Sequence, residues 1–143
     1  METSENSTQK DKLDFKDSKY ATGSRKTSIA KIWLKKGSGK IFVNGKNYDD
    51  YFKRDTHKMQ LLRPFEIINQ ATTYDVKCSV KGGGLTGQVG AMVHGISKAL
   101  VMFDSEFKST LKKEKLTTRD SRSVERKKYG HRKARRSYQF SKR

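Results

Sequence analysis

The sequence predicts an α+β fold, a small sheet with helices on one face, followed by a basic tail that does not join it. Three observations lead there. Segments of period two and segments of period 3.6 share one stretch, residues 21–107. Glycine-rich breaks at Gly37-Ser38-Gly39 and Gly82-Gly83-Gly84 punctuate that stretch. Beyond it neither period is sustained. A length of 143 residues allows one such domain with a tail and not two full domains.

The elements follow in order. Residues 1–20 are polar and aperiodic and are expected to form a disordered N-terminal arm. Lys26 to Lys35 reads as a strand, with Ile29 and the run Ile32 to Leu34. Ile41 to Val43 reads as a second, closed by the tight-turn dipeptide Asn44-Gly45, and the two suggest an antiparallel hairpin. A short helix is expected over Asn47 to Phe52, with Asn47 as cap and Asp49 and Asp50 in the first turn, where the helix dipole favours acids. A second helix spans about Asp55 to Asn69, with Met59, Leu61, Leu62, Phe65, Ile67 and Ile68 as its apolar residues. The only proline, Pro64, predicts a kink there or two abutting helices. Thr73 to Lys81 is the clearest strand, because Tyr74, Val76, Cys78 and Val80 alternate with polar residues. A helix follows the three glycines to about Phe103, with Val89, Val93, Ile96, Leu100 and Phe103 on one face and Gly90, Ala91, His94 and Ser97 on another. Glu106 to Lys115 holds one more short helix, with Phe107 and Leu111 four apart.

Charge narrows the function. Lys and Arg number 33 against 15 acids, a net charge of +18, and only 32% of residues are hydrophobic. Residues 1–24 carry net −1, residues 25–107 net +7 and residues 108–143 net +12. So one-sided a balance repels itself unless a polyanion neutralises it, which points to nucleic acid first and an anionic membrane surface second. The single cysteine, Cys78, excludes an internal disulfide and reads as a small core residue. No run approaches the roughly 18 apolar residues of a membrane span. The acids Glu2, Glu5, Asp11, Asp14 and Asp17 are wrong for a secretory signal or a transit peptide. A soluble protein of a reducing compartment is expected.

Gly82-Gly83-Gly84-Leu85-Thr86-Gly87 matches the dinucleotide fingerprint literally, between a strand and a helix, with Asp104 about 20 positions on. No apolar β-branched run follows Phe103 to supply the next parallel strand, so a nicotinamide-dependent enzyme is set aside. Two readings of the glycines stay open: a flexible turn, or a loop that lets backbone N–H groups and Lys81 approach a phosphate at a helix N-terminus. Gly39-Lys40 lacks the flanks of a Walker loop, which sets aside a small-molecule kinase. His57 and His131 sit among bases and read as solvated or phosphate-facing. His94 reads equally as an RNA-facing or an ordinary surface histidine. No catalytic, metal or cofactor constellation emerges, and no small-molecule substrate is expected.

The tail is the strongest signal. Arg119, Arg122, Arg126, Lys127, Lys128, Arg132, Lys133, Arg135, Arg136, Lys142 and Arg143 face only Asp120 and Glu125. Without an apolar face it is unsuited to a membrane helix. Tyr129, Tyr138 and Phe140 are interleaved with the bases, as suits stacking on unpaired nucleotides. RNA is favoured over DNA, and a nucleoid-like DNA compactor is the rival, because arginine-rich segments that order on binding suit irregular RNA folds.

Across roughly residues 21–143 the chain resembles small-subunit ribosomal protein nine of the bacterial type. The resemblance rests on Ala21-Thr22-Gly23, Arg25 to Ser28, Gly37 to Gly45, Asp50 to Phe52, Leu62 to Pro64, Val80 to Gly84, Gly87-Gln88 and His94 to Ile96. Its most specific parts are Leu116 to Asp120, Val124 to Lys128, Lys133 to Arg136 and Gln139 to Arg143. It implies a ribosome constituent and no enzyme, in the cytoplasm of a bacterium, although an organelle-encoded copy would look the same. It implies a fold like the second domain of ribosomal protein S-five, with a left-handed βαβ crossover. It further implies a globular domain over residues 21–107 against small-subunit ribosomal RNA and neighbouring head proteins. Residues 108–143, a short helix and an extended tail, would thread toward the peptidyl site. Ser141, Lys142 and Arg143 would meet peptidyl-site tRNA. Arg25, Lys26, Lys81, Gly82, Gly83, Gly84 and the Arg and Lys residues from Arg119 to Arg136 would meet ribosomal RNA. The chain departs from the family at Ser24 and Val93, where Arg is common, and at Tyr138, where Pro is common, which suggests a less rigid last turn. The first 20 residues are expected to fall outside the match.

Overall fold

The structure, a computed structural model, describes residues 15–142. Five strands form one mixed sheet: β1 (Lys19–Arg25), β2 (Ser28–Lys36), β3 (Ile41–Val43), β4 (Lys46–Asn47) and β5 (Tyr74–Lys81). Four helices accompany them: α1 (Tyr48–Tyr51), α2 (Asp55–Ile67), α3 (Leu85–Phe103) and α4 (Phe107–Lys113). The strand order is β1-β2-β5-β3-β4. All pairs are antiparallel except β3–β5, which is parallel and is joined through β4, α1 and α2. This is the βαβ unit of an α+β fold.

Alternation decides which face is covered. Ala30, Ile32 and Leu34 of β2 and Val76, Cys78 and Val80 of β5 are buried, whereas Lys31, Lys77, Ser79 and Lys81 are exposed. The buried face meets α3, whose Val89, Met92, Ile96 and Leu100 are fully inaccessible. Leu61 and Phe65 of α2 and Leu111 of α4 complete the core. Each such side chain contributes about 1.5–3 kcal/mol by leaving water. Cys78 is buried, and burial holds its thiol well above the ordinary range.

Several expectations are corrected. The hairpin expected between the strand ending near Lys35 and Ile41–Val43 does not form, because β5 lies between them. The 37–40 loop arches over the start of β5 instead. Gly37 N–H donates to Thr73 O (2.8 Å), and Val76 N–H donates to Lys40 O (2.8 Å). The buried Asp75 carboxylate accepts the N–H groups of Ser38 (2.8 Å) and Lys40 (2.9 Å). The hairpins that do form are β1–β2 and β3–β4. The second turns at Asn44-Gly45 with φ of 50° and 80°, the left-handed pair the dipeptide predicts.

Of the expected arm, residues 1–14 lie outside the described residues. Phe15 to Ser18 form a turn, with Ser18 N–H donating to Phe15 O (3.2 Å), and β1 begins at Lys19, inside the expected arm. β1 lacks an apolar alternation because its contact is made by absence of side chain. A Cβ on Gly23 would overlap the Ala91 carbonyl oxygen and the Gly95 nitrogen of α3. Ala91 and Ser97 are accordingly buried, so α3 packs on more than the face its large residues mark. α2 is one continuous helix; Pro64 removes a single N–H bond near an end already reached at Ile67. Asn47 flanks α1 as its cap residue but makes no side-chain capping bond.

Candidate nucleic-acid interface

Three segments meet at one end of the sheet. The first is the β1–β2 turn, where Lys26 takes φ of 53°. The second is Gly82 to Gly84 at the end of β5, where Gly82 and Gly83 take φ of 77° and 60° and lead into α3. The third is the tail root, Leu116 to Arg122. The glycine loop is pinned, which decides against a flexible turn. Ser28 Oγ donates to Gly82 O (3.0 Å), and Gln88 Nε2 donates to the same oxygen (3.2 Å). Gln88 is itself held by the Tyr51 hydroxyl, which donates to its Oε1 (2.7 Å). A Cβ on Gly82 would come within 2.7 Å of Thr27 O, whereas one on Gly84 would meet nothing within 4 Å. The first turn of α3 carries no acid and its cap residue makes no side-chain bond, so its free N–H groups open toward the loop's outer side.

The tail root is fastened to the same end. Arg119 Nε donates to Ser24 Oγ (2.8 Å). Asp120 takes Arg122 Nη2 at 2.9 Å and Arg25 Nη2 at 3.6 Å. Hydrogen bonds from Arg122, with its charge and that of Arg25 adding to them, hold the Asp120 carboxyl well below the usual carboxylate range. Arg25 lies along α3 where Gly90 leaves room; a Cβ there would collide with its Cδ. These groups line two adjoining clefts of about 370 Å³ and 290 Å³, the first including Ser24, Arg25, His94, Asp120 and Arg122, the second Arg25, Lys26 and Asp120.

His94 resolves differently from either sequence reading. It is half-buried in the joint between body and tail. Its Nδ1 accepts the Ser24 N–H (3.4 Å), and the ring donates to the backbone at Thr117. Burial, followed by the charge of Lys98, pushes its pKa down, with Arg119 adding to the effect against the Thr117 bond. His57 is corrected outright. It is buried against Phe52, with Nε2 3.3 Å from Thr86 Oγ1 and Nδ1 unpartnered. His131 is partly exposed, with Nδ1 3.4 Å from Ser137 Oγ. Asp104 flanks the C-terminal end of α3 and ends no strand, as the dinucleotide reading would need.

Of the expected contact residues, Arg25, Lys26, Lys81 to Gly84, Arg119 and Arg122 are therefore brought together. Arg126, Lys127, Lys128, Arg132, Lys133, Arg135, Arg136, Ser141 and Lys142 are not; they extend along the tail, and Arg143 lies outside the described residues. Glu125 takes Arg135 (2.9 Å) and Lys128 (3.5 Å). A turn closes over residues 131–137, with Arg132 N–H donating to Arg136 O (2.7 Å) and the Arg132 guanidinium 5.2 Å from the Tyr138 ring. That contact ties Tyr138 to the start of the turn. Tyr129 and Phe140 are fully exposed. Sequence reasoning missed Ser24, Ser28, Gln88 and Asp120 as positioning residues. Ser28, Gln88 and Asp120 stood inside quoted motifs and Ser24 among the departures, but nothing in the sequence marked their positioning role.

Among the described residues no His, Cys, Asp or Glu group could hold a metal, and no helix is long and apolar enough to cross a membrane. A small α+β body with a cationic end and an unpacked basic tail has the charge distribution of a polyanion-binding protein. The family model described as ribosomal protein S9/S16 matches residues 23–143, and the chain belongs to that family. It is 54% identical over 136 residues to the small ribosomal subunit protein uS9 of Rickettsia felis, covering 95% of this chain and 84% of the relative. It is 53% identical over 134 residues to that of Rickettsia canadensis, covering 94% and 83%. The family model begins at residue 23, as expected, whereas the similarity to the Rickettsia felis relative, at 95% of the chain, reaches into the first 20 residues.

Proposed function

We propose that this protein is a scaffolding constituent of the small ribosomal subunit. The cationic end of its sheet holds ribosomal RNA of the subunit head, beside neighbouring head proteins, and its tail reaches peptidyl-site tRNA. The observation that carries the reading is the convergence of Arg25, Lys26, Lys81 to Gly84, Arg119 and Arg122 at the point where a +12 segment leaves the body. The names of the Rickettsia relatives support it and favour a bacterial cytoplasm.

The mechanism is electrostatic. Lys and Arg displace counterions from folded RNA, and the α3 N-terminus and glycine loop accept a phosphate that a side chain at Gly84 would obstruct. Tyr129, Tyr138 and Phe140 stack on unpaired bases. Ser141, Lys142 and Arg143 steady tRNA without chemistry. The test is a filter-binding titration against small-subunit RNA over a range of salt. About six phosphate contacts lower affinity roughly 10³-fold between 50 and 200 mM salt. A shallow slope counts against the reading.

A further inference from the structure

The interface above touches the sheet face opposite α2 and α3 only through Lys81, and Phe15 covers only its far side, over Lys35 and Lys77. Register places Tyr20, Trp33 and Lys77 in one row across it, with Phe42 at the far end. The Tyr20 and Trp33 rings lie 5.3 Å apart, tilted by 43°, and Tyr20 is 45% exposed. Lys77 Nζ is 5.9 Å from the Trp33 ring. The next rows, toward the glycine loop, are Thr22, Lys31 and Ser79, then Ser24, Ile29 and Lys81. A line of lysines thus runs from the aromatic pair to the cationic end already described. The sole acid in the five strands is Asp75, whose carboxylate is turned under the 37–40 loop.

We propose that this open face binds unpaired RNA nucleotides, whose bases stack on Tyr20 and Trp33 and whose phosphates meet Lys31, Lys77 and Lys81. The inference rests on the RNA-binding reading and extends it from the end of the sheet onto its surface. Two physical points favour RNA. The centre of a protein–protein interface is depleted in lysine, yet here lysine flanks the rings on both neighbouring rows. Aromatic rings on a sheet present flat faces to bases that a duplex would keep stacked inside, so the ligand is single-stranded. A protein occupant is the competing outcome. Phe15 lies 5.0 Å from Lys35 Nζ and 5.8 Å from Lys77 Nζ on this face, and the residues before it include Glu2, Glu5, Asp11 and Asp14.

Trp33 is the only tryptophan, so its emission reports this face alone. The experiment titrates the full chain, carrying Gln at Arg132, Lys133, Arg135 and Arg136 to weaken tail binding, with a labelled short oligouridylate. Label anisotropy reports binding anywhere. The expected result is quenching of Trp33 in step with anisotropy, and none with a duplex of similar length. Tyr20→Leu weakens binding at least about fivefold, and Tyr20→Phe restores it. Anisotropy that rises while Trp33 stays constant overturns the inference and leaves the RNA-binding reading intact. No rise with any RNA overturns both. Trp33 emission that shifts when residues 1–14 are removed, and responds to RNA in neither chain, shows a protein occupant and overturns the inference.

Discussion

Arg119 donates through Nε to the Ser24 hydroxyl at 2.8 Å, across 95 residues of sequence. One end of this bond belongs to an edge strand of the folded body and the other to the root of the basic tail. The same strand residue gives its backbone N–H to His94, so body, helix and tail are joined at a single serine.

Acid loosens that joint. The folded-state pKa of His94 lies below the ordinary 6.5, so the unfolded chain takes up the proton more readily. The stabilisation from neutral His94 is present above about pH 6.5 and is lost as pH falls through that value toward the lowered one. Amide exchange at Ser24, whose N–H His94 accepts, is expected to accelerate between pH 7.5 and 5.5 more than exchange in β5, after correction for intrinsic rates. A His94→Gln variant removes the difference.

Asp120 restrains two guanidiniums, those of Arg25 and Arg122. Asp120→Asn frees both for phosphate. Affinity for small-subunit RNA is expected to rise, by less than about tenfold, and to depend more steeply on salt. Filter binding at several salt concentrations measures both.

Glycines at two sites separate stability from binding. Gly23→Ala forces a Cβ against backbone atoms of α3 and is expected to cost about 1–3 kcal/mol in a urea melt. Gly84→Ala meets nothing in the protein and leaves the melt within about 0.5 kcal/mol. On the proposed reading it nonetheless weakens RNA binding, because the obstruction is to the phosphate.

Asp75 is the polar post on which the 37–40 loop is wound. Burial alone would raise its pKa, but N–H groups of Lys40, Ser38 and Gly39 and the Ser38 hydroxyl outweigh it and hold the value below 3.8. Its contribution is complete above pH 3.8 and is lost as pH falls through the lowered value. Asp75→Ala is expected to cost about 1–2 kcal/mol at neutral pH by removing the acceptor that holds the Ser38 and Lys40 N–H groups. Denaturant melts of the two chains converge in strong acid.

Removing Lys142 and Arg143 leaves assembly of the subunit intact on the proposed reading and weakens retention of tRNA at the peptidyl site. Sucrose-gradient profiles check the first and filter retention of tRNA on purified subunits the second. Failure to assemble would make the tip structural.

Strands and helices with large apolar residues were legible in the sequence, because β5 and α3 announce themselves by period. β1 was not, since its packing depends on Gly23 and Ala21 having little side chain to pattern. The β2–β3 pairing misread the Gly37-Ser38-Gly39 break as a hairpin loop; only Asp75, distant in sequence, turns it into a bridge over β5. Cations of the interface were legible as a charge imbalance. The residues that aim them were not, because Ser24, Ser28 and Asp120 look like ordinary polar residues until the sheet brings them to one end.

The position of β5 between β2 and β3 sets the order in which the molecule is made. Neighbours in the chain, these two strands share no pairing; each belongs to its own local hairpin, and the two hairpins are joined only through β5, roughly 40 residues downstream, a non-local closure that is slow. During synthesis the half-finished sheet exposes Ile32, Leu34 and Val43 until Tyr74 to Lys81 has emerged, and the buried face stays uncovered until α3 follows. The cationic tail comes last of all. The last segment to emerge is therefore the one most prone to cling to any polyanion nearby.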